Sequence, residues 1–162
     1  MKKVIVILIL AVYIASIAVV NFGGIQSVPH DSITYVKTIQ CNTVTFLGNN
    51  NEVITPKYRT GRPELYKFNF IPPAEGEEYT TDEQSLMDNP NKIRIDWEVM
   101  PHDASNKVEF IIDGGAGVAV YHPMSQTIIV LRGDLLFDVT IKAIDGSQKQ
   151  TMITIWGGLV PD

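Results

Sequence analysis

Three histidines, one cysteine and a run of acids are the side chains of this 162-residue chain best suited to holding a metal or activating a nucleophile. His30 and His102 are each followed by an aspartate, Asp31 and Asp103, while His122 has none beside it. A zinc centre needs three or four converging ligands and usually takes two of them from a short-spaced histidine pair. The separations here are 72 and 20 residues, so no local pair exists, and surface loop histidines are expected. Cys41 is the single cysteine, which forbids an intrachain disulfide and leaves pairing between chains open. It lies in an apolar–polar stretch, Thr38 to Val44, where a free thiol packs as a small apolar group.

The acids concentrate between the prolines at 73 and 90. Glu75, Glu77, Glu78, Asp82, Glu83 and Asp88 fall there. Calcium takes six to eight oxygen ligands, and Glu77, Glu78, Asp82 and Glu83 are the residues that could supply some of them. The alternating aspartates of a calcium-binding loop are absent, so a solvated acidic loop over 74–91 is the expectation, with one helical turn near Ser85-Leu86-Met87. No G-x-S-x-G, H-E-x-x-H or phosphate-loop motif occurs. Gly114-Gly115-Ala116-Gly117 would cradle phosphate only ahead of a helix. The β-like Val118 to Tyr121 follows instead, which predicts a turn.

The elements that must position these groups read as strands. Lys92 to Met100 (KIRIDWEVM) alternates Ile93, Ile95, Trp97 and Val99 against Arg94, Asp96 and Glu98. A period of two with one apolar face predicts a half-buried strand, with Trp97 in the core. Glu64 to Ile71 places Tyr66, Phe68 and Phe70 on one face. Leu135 to Ala143 points Leu135, Phe137, Val139, Ile141 and Ala143 inward. Further strands are expected at 33–39, 42–47, 107–112, 118–121 and 127–131, and at 150–156 after a hairpin turn at Asp145-Gly146. No helical period of useful length appears after residue 25, and many short strands between turn signals predict an all-β sandwich.

The N-terminus is of another kind. Val4 to Val20 is 17 residues without a charge, preceded by Lys2 and Lys3. A spanning helix needs about 17–25 predominantly apolar residues, and the lysines place the N-terminus in the cytoplasm. The reading is therefore a signal anchor, a single transmembrane helix over 1–25 that meets the lipid bilayer through residues 4–22. Cleavage after Ala18 is the rival and would release a secreted domain. A linker (26–32), a sandwich (33–157) and a short tail (158–162) follow. Without Lys2 and Lys3 the balance is 11 basic to 18 acidic residues, a net of −7. Such a domain is a poor partner for nucleic acid, whose phosphates demand clustered Lys and Arg.

Two stretches carry a resemblance. Val99-x-Pro101-x-Asp103-Ala104-Ser105-Asn106-Lys107-Val108, and Val139 to Ser147 with Thr151 to Ile155, resemble the bacterial immunoglobulin-like domain of group 2, the invasin/intimin type. The likeness covers residues 99–156. It implies an immunoglobulin-like β-sandwich, outside the cell, with a structural or adhesive role and no catalytic residues to carry over. Glu109 to Ile112 and Tyr121 to Leu131 depart from the family's pattern. Together the residues predict a single-pass membrane protein with an extracytoplasmic, non-catalytic module that binds a protein or surface polymer and uses no cofactor. The alternatives are a small surface enzyme, a calcium- or metal-dependent binding domain, or a subunit of a membrane complex.

Overall fold

The computed structural model describes residues 33–48, 51–57, 62–115 and 117–159. The anchor over 1–25, the linker over 26–32 and the lipid contact through 4–22 lie outside the described residues. Among the described residues no helix is long and apolar enough to cross a membrane.

Among the described residues there are ten strands and one short helix. They are β1 (Thr38–Phe46), β2 (Glu52–Ile54), β3 (Pro56–Lys57), β4 (Leu65–Phe70), α1 (Glu83–Asp88), β5 (Lys92–Met100), β6 (Val108–Asp113), β7 (Ala119–His122), β8 (Thr127–Val130), β9 (Leu136–Ala143) and β10 (Gln150–Leu159). Two five-stranded sheets result: β2-β1-β5-β8-β7 and β3-β4-β10-β9-β6. Every pairing is antiparallel except β4 with β10, which is parallel. One apolar core is shared by the inner faces, with Val44, Phe46, Ile93 and Ile128 from the first sheet and Phe68, Phe137, Val139, Ile141 and Ile155 from the second. The all-β expectation and its two layers hold.

The alternation seen in the sequence sets the register. In β4, Tyr66, Phe68 and Phe70 are buried while Lys67 and Asn69 are exposed. In β9, Phe137, Val139, Ile141 and Ala143 are buried, but Leu135 precedes the strand and is exposed. β10 continues past its expected end at 156, and past the expected sandwich boundary at 157, to Leu159, because Gly157, Gly158 and Leu159 pair with Phe68, Asn69 and Phe70.

One expectation is corrected at β1. The stretches 33–39 and 42–47 read as two strands, yet residues 38–46 form one. A β-bulge explains the difference. Cys41 pairs with Trp97 and Thr43 with Asp96, so Asn42 is the extra residue. An inserted residue reverses which parity faces inward. Ile39 is buried before the bulge, and Val44 and Phe46 after it.

Asp145 fastens the start of the domain. Its carboxylate accepts from the Val36 amide at 2.7 Å and the Ser147 amide at 2.9 Å. Hydrogen bonds from Ser147 and Val36 hold its carboxyl below the ordinary range. Thr34 Oγ1 donates to Asp103 at 2.9 Å.

The acidic loop keeps its carboxylates exposed, as expected, but is fastened to the first sheet at several points along its length. Asp82 caps α1, accepting from the Ser85 amide at 3.0 Å. Leu86 and Tyr79 then cover Ile129 and Leu131 on the outer face of the first sheet. All four residues of β8 are consequently buried. Asn89 and Asn91, both buried, tie the loop's ends to Val130 and Ile71.

Candidate functional site

Among the described residues the first sheet is incomplete along part of β5. Lys92 and Met100 carbonyls accept from Leu47 and Lys37 on the β1 side, so even-numbered positions of β5 direct their main-chain groups toward β1. The Asn91 carbonyl accepts from Val130, and Ile93 pairs with Ile128, so odd-numbered positions face β8. The β8 pairing stops there. The chain next to β8 is the Pro123–Gln126 turn, whose Gln126 holds a positive φ of 53° and leads it away toward β7. Ile95, Trp97 and Val99 therefore direct their N–H and C=O groups to a side that, among the described residues, no strand fills.

A groove of about 750 Å³ lies along this side. Its aromatic wall comes from three strands in two sheets. Trp97 of β5 meets Phe110 of β6 edge-on, with centroids 6.5 Å apart at 72°. Phe110 stacks on Tyr121 of β7 at 4.2 Å and 12°. All three rings are half-buried. Arg94, Asp96, Glu98, His102, Asn106 and Lys107 also line it. An open cleft with an aromatic wall and a few polar groups is the ordinary form of a binding site. Trp97 is thus corrected from core residue to groove wall. Its strand register is as expected, but truncating it removes less burial than the loss of a fully buried ring, which costs about 3–5 kcal/mol.

The residues singled out in the sequence are scattered. His30 lies outside the described residues. His102 is exposed on the groove's rim, and Asp103 beside it serves Thr34. Of the calcium candidates, Glu77, Glu78, Asp82 and Glu83 are all exposed. Hydrogen bonds from Thr80 and from the Ser85 amide hold the Asp82 carboxyl below its usual range. Glu83 turns to His122 instead. Among the described residues no three His, Cys, Asp or Glu side chains gather as a metal site would require. Cys41 is half-buried, and burial pushes its thiol up, away from the reactive thiolate. In the Gly-rich turn, a Cβ at Gly114 would stand 2.3 Å from Phe137 Cβ, and Gly115 and Gly117 hold φ of +100° and +76°. Close packing and turn geometry account for these glycines, and a strand follows them.

One constellation escaped the sequence reading. His122 is buried, with Nδ1 2.7 Å from Ser125 Oγ and Nε2 3.1 Å from Glu83 Oε1. Ser125 Oγ is also 2.7 Å from Thr127 Oγ1. A serine, a histidine and a carboxylate in series is the arrangement of an activated nucleophile. Only the three-residue spacing of His122 and Ser125 was visible beforehand, since Glu83 is 39 positions away. The local setting is that of a turn. The Ser125 amide approaches the same ring nitrogen at 3.4 Å, and Glu83 belongs to α1. The groove is not lined by His122, Ser125 or Glu83. The chain of bonds clamps α1 to the β7–β8 turn.

Compared with protein-family models, curated proteins and solved structures, the chain matches none.

Proposed function

We propose that this chain is a non-catalytic binding module, held at the outer side of a membrane by its N-terminal segment, whose contact surface is the groove along β5. The groove itself carries the reading: three aromatic rings from β5, β6 and β7 stand half-exposed between the sheets beside an unfilled strand position. The 17-residue apolar run after Lys2 and Lys3 supports the tether. An immunoglobulin-like sandwich is the fold we propose. In its favour, Ala104 is buried beneath the turn closed by its amide on the Pro101 carbonyl, and the Asp145-Gly146 turn joins β9 to β10. These are the two stretches that resemble the group 2 domain. A structural or adhesive role at the cell surface suits an acidic domain of this kind.

An engineered thiol tests placement and contact together. Asn106, exposed on the groove's rim, is changed to cysteine in a Cys41→Ser background. Intact cells are labelled with a membrane-impermeant maleimide carrying an aryl azide, then illuminated. Labelling followed by a discrete adduct is expected. Labelling only after permeabilisation would overturn the outer placement. Labelling with no adduct would overturn the groove as contact surface.

The second reading, a small surface hydrolase, has the Ser125–His122–Glu83 series in its favour. A fluorophosphonate probe decides it. We expect Ser125 to stay unmodified, since neither it nor His122 lines the groove where a substrate would be held. Stoichiometric modification of Ser125 would make the hydrolase the better reading.

A further inference from the structure

We infer that the groove takes an extended polypeptide segment of a partner protein, added as a strand to the free side of β5; this rests on the proposed role of the groove as contact surface.

The main chain points to the class of ligand. Ile95, Trp97 and Val99 present three N–H donors and three C=O acceptors in a row to the groove side. Among the described residues no side chain or backbone group engages them. A row of alternating donors and acceptors at the pitch of a strand is matched by another strand, and an exposed edge of this kind is the template for strand addition. A saccharide or a small aromatic ligand would use the rings and leave the row unpaired.

Length and pattern are fixed by the same geometry. From Ile95 to Met100 at about 3.3 Å per residue, the free edge accommodates roughly six residues. Alternate side chains of the added strand point inward, toward Trp97, Phe110 and Tyr121, and must be apolar. The others lie on the outer face beside Arg94, Asp96 and Glu98. Two carboxylates against one guanidinium favour basic residues there, since opposite charges on neighbouring strands attract. The partner segment is therefore an apolar–polar alternation with lysine or arginine on its outer face. Edge-strand defences are few here: the inward residues of this half-strand, Ile95, Trp97 and Val99, carry no charge and no proline.

The test uses the full chain purified in detergent and the capped peptide Val-Lys-Val-Thr-Val-Lys-Val. Two further versions carry N-methyl groups at the odd or at the even positions. N-methylation removes donors on one edge of the peptide while leaving its side chains in place. Affinity is read from tryptophan fluorescence and pairing from hydrogen exchange at the amides of Ile95, Trp97 and Val99. We expect the parent peptide to slow exchange at these three amides by tenfold or more. One N-methylated version should bind at least tenfold more weakly, and the other should bind like the parent. Equal binding by all three peptides would mean that side chains alone are held, and strand addition would fall. So would slow exchange at the three amides in the free protein, which would show the position filled from within the chain. Chitotriose that shifts the fluorescence while no peptide binds would assign the groove to a saccharide. A crosslinked adduct from Asn106→Cys with no peptide binding overturns strand addition and leaves the contact surface standing. Absence of both overturns both.

Discussion

Replacing Phe46 with alanine should lower the unfolding free energy by about 3–5 kcal/mol, the usual cost of emptying a large buried aromatic site. The ring is 1% exposed and stands at the C-terminal end of β1, where the first sheet faces the second. Its centroid is 4.9 Å from that of Phe68 on β4. Neither neighbour can collapse easily into the space. Phe46 lies opposite Ile93 on one side and Glu52 on the other within the sheet, and Phe68 is held by β10. Such a loss approaches the whole stability of a domain this size. Urea unfolding of the variant checks it. A loss below about 1.5 kcal/mol would mean that the two sheets do not meet face to face at this point.

Asn91→Ala should cost about 2–4 kcal/mol, for the opposite reason: it leaves polar groups stranded where apolar ones are not lost. Asn91 is wholly buried just before β5. Its Oδ1 accepts from the Ile71 amide at 2.8 Å and its Nδ2 donates to the Ile71 carbonyl at 2.9 Å. The two bonds imitate a strand partner at the point where β4 gives way to the acidic loop. Alanine strips the Ile71 amide of its partner, leaves the Ile71 carbonyl with only the Tyr79 hydroxyl at 3.2 Å, and releases one end of that loop. Exchange of the Ile71 amide should then rise along with the drop in urea midpoint. Unchanged protection at Ile71 would show that another group or water satisfies it, and the lower cost would follow.

How far these features could be read in advance depends on the range of the interaction. β5 was legible to its exact ends, and β4 and β9 nearly so, because the alternation is local and one face of each strand is covered. β1 was misread as two strands, since a bulge at Asn42 breaks the period that the reading relies on. The hydrophobicity of Trp97 placed it correctly on the inner face. Its half-exposure depends on where β8 departs from β5, and hence on the backbone at Gln126, over which the spacing of apolar residues has no hold. The helical turn at Ser85-Leu86-Met87 was visible. Its docking onto Ile129 and Leu131 was not, because an unbroken apolar run marks a strand covered on both faces without saying which distant segment covers it. The bonds of Asn91 and the meeting of Glu83 with His122 join residues 20 and 39 positions apart, and no local pattern marks them.

The parallel pairing of β4 with β10 has a consequence for the order of events during synthesis. Tyr66, Phe68 and Phe70 are made early, yet among the described residues β4's only other partner is the two-residue β3. Residues 71–153 must follow before Thr154 to Leu159 arrive to close the sheet. Long-range pairing of this kind is slow and exposes apolar strands while it waits. A chain made from its N-terminus therefore carries these aromatic residues on an open strand until its last strand is complete. Shielding of residues 65–70 by a holding factor, rather than the rate of any local turn, would set the yield of folded protein.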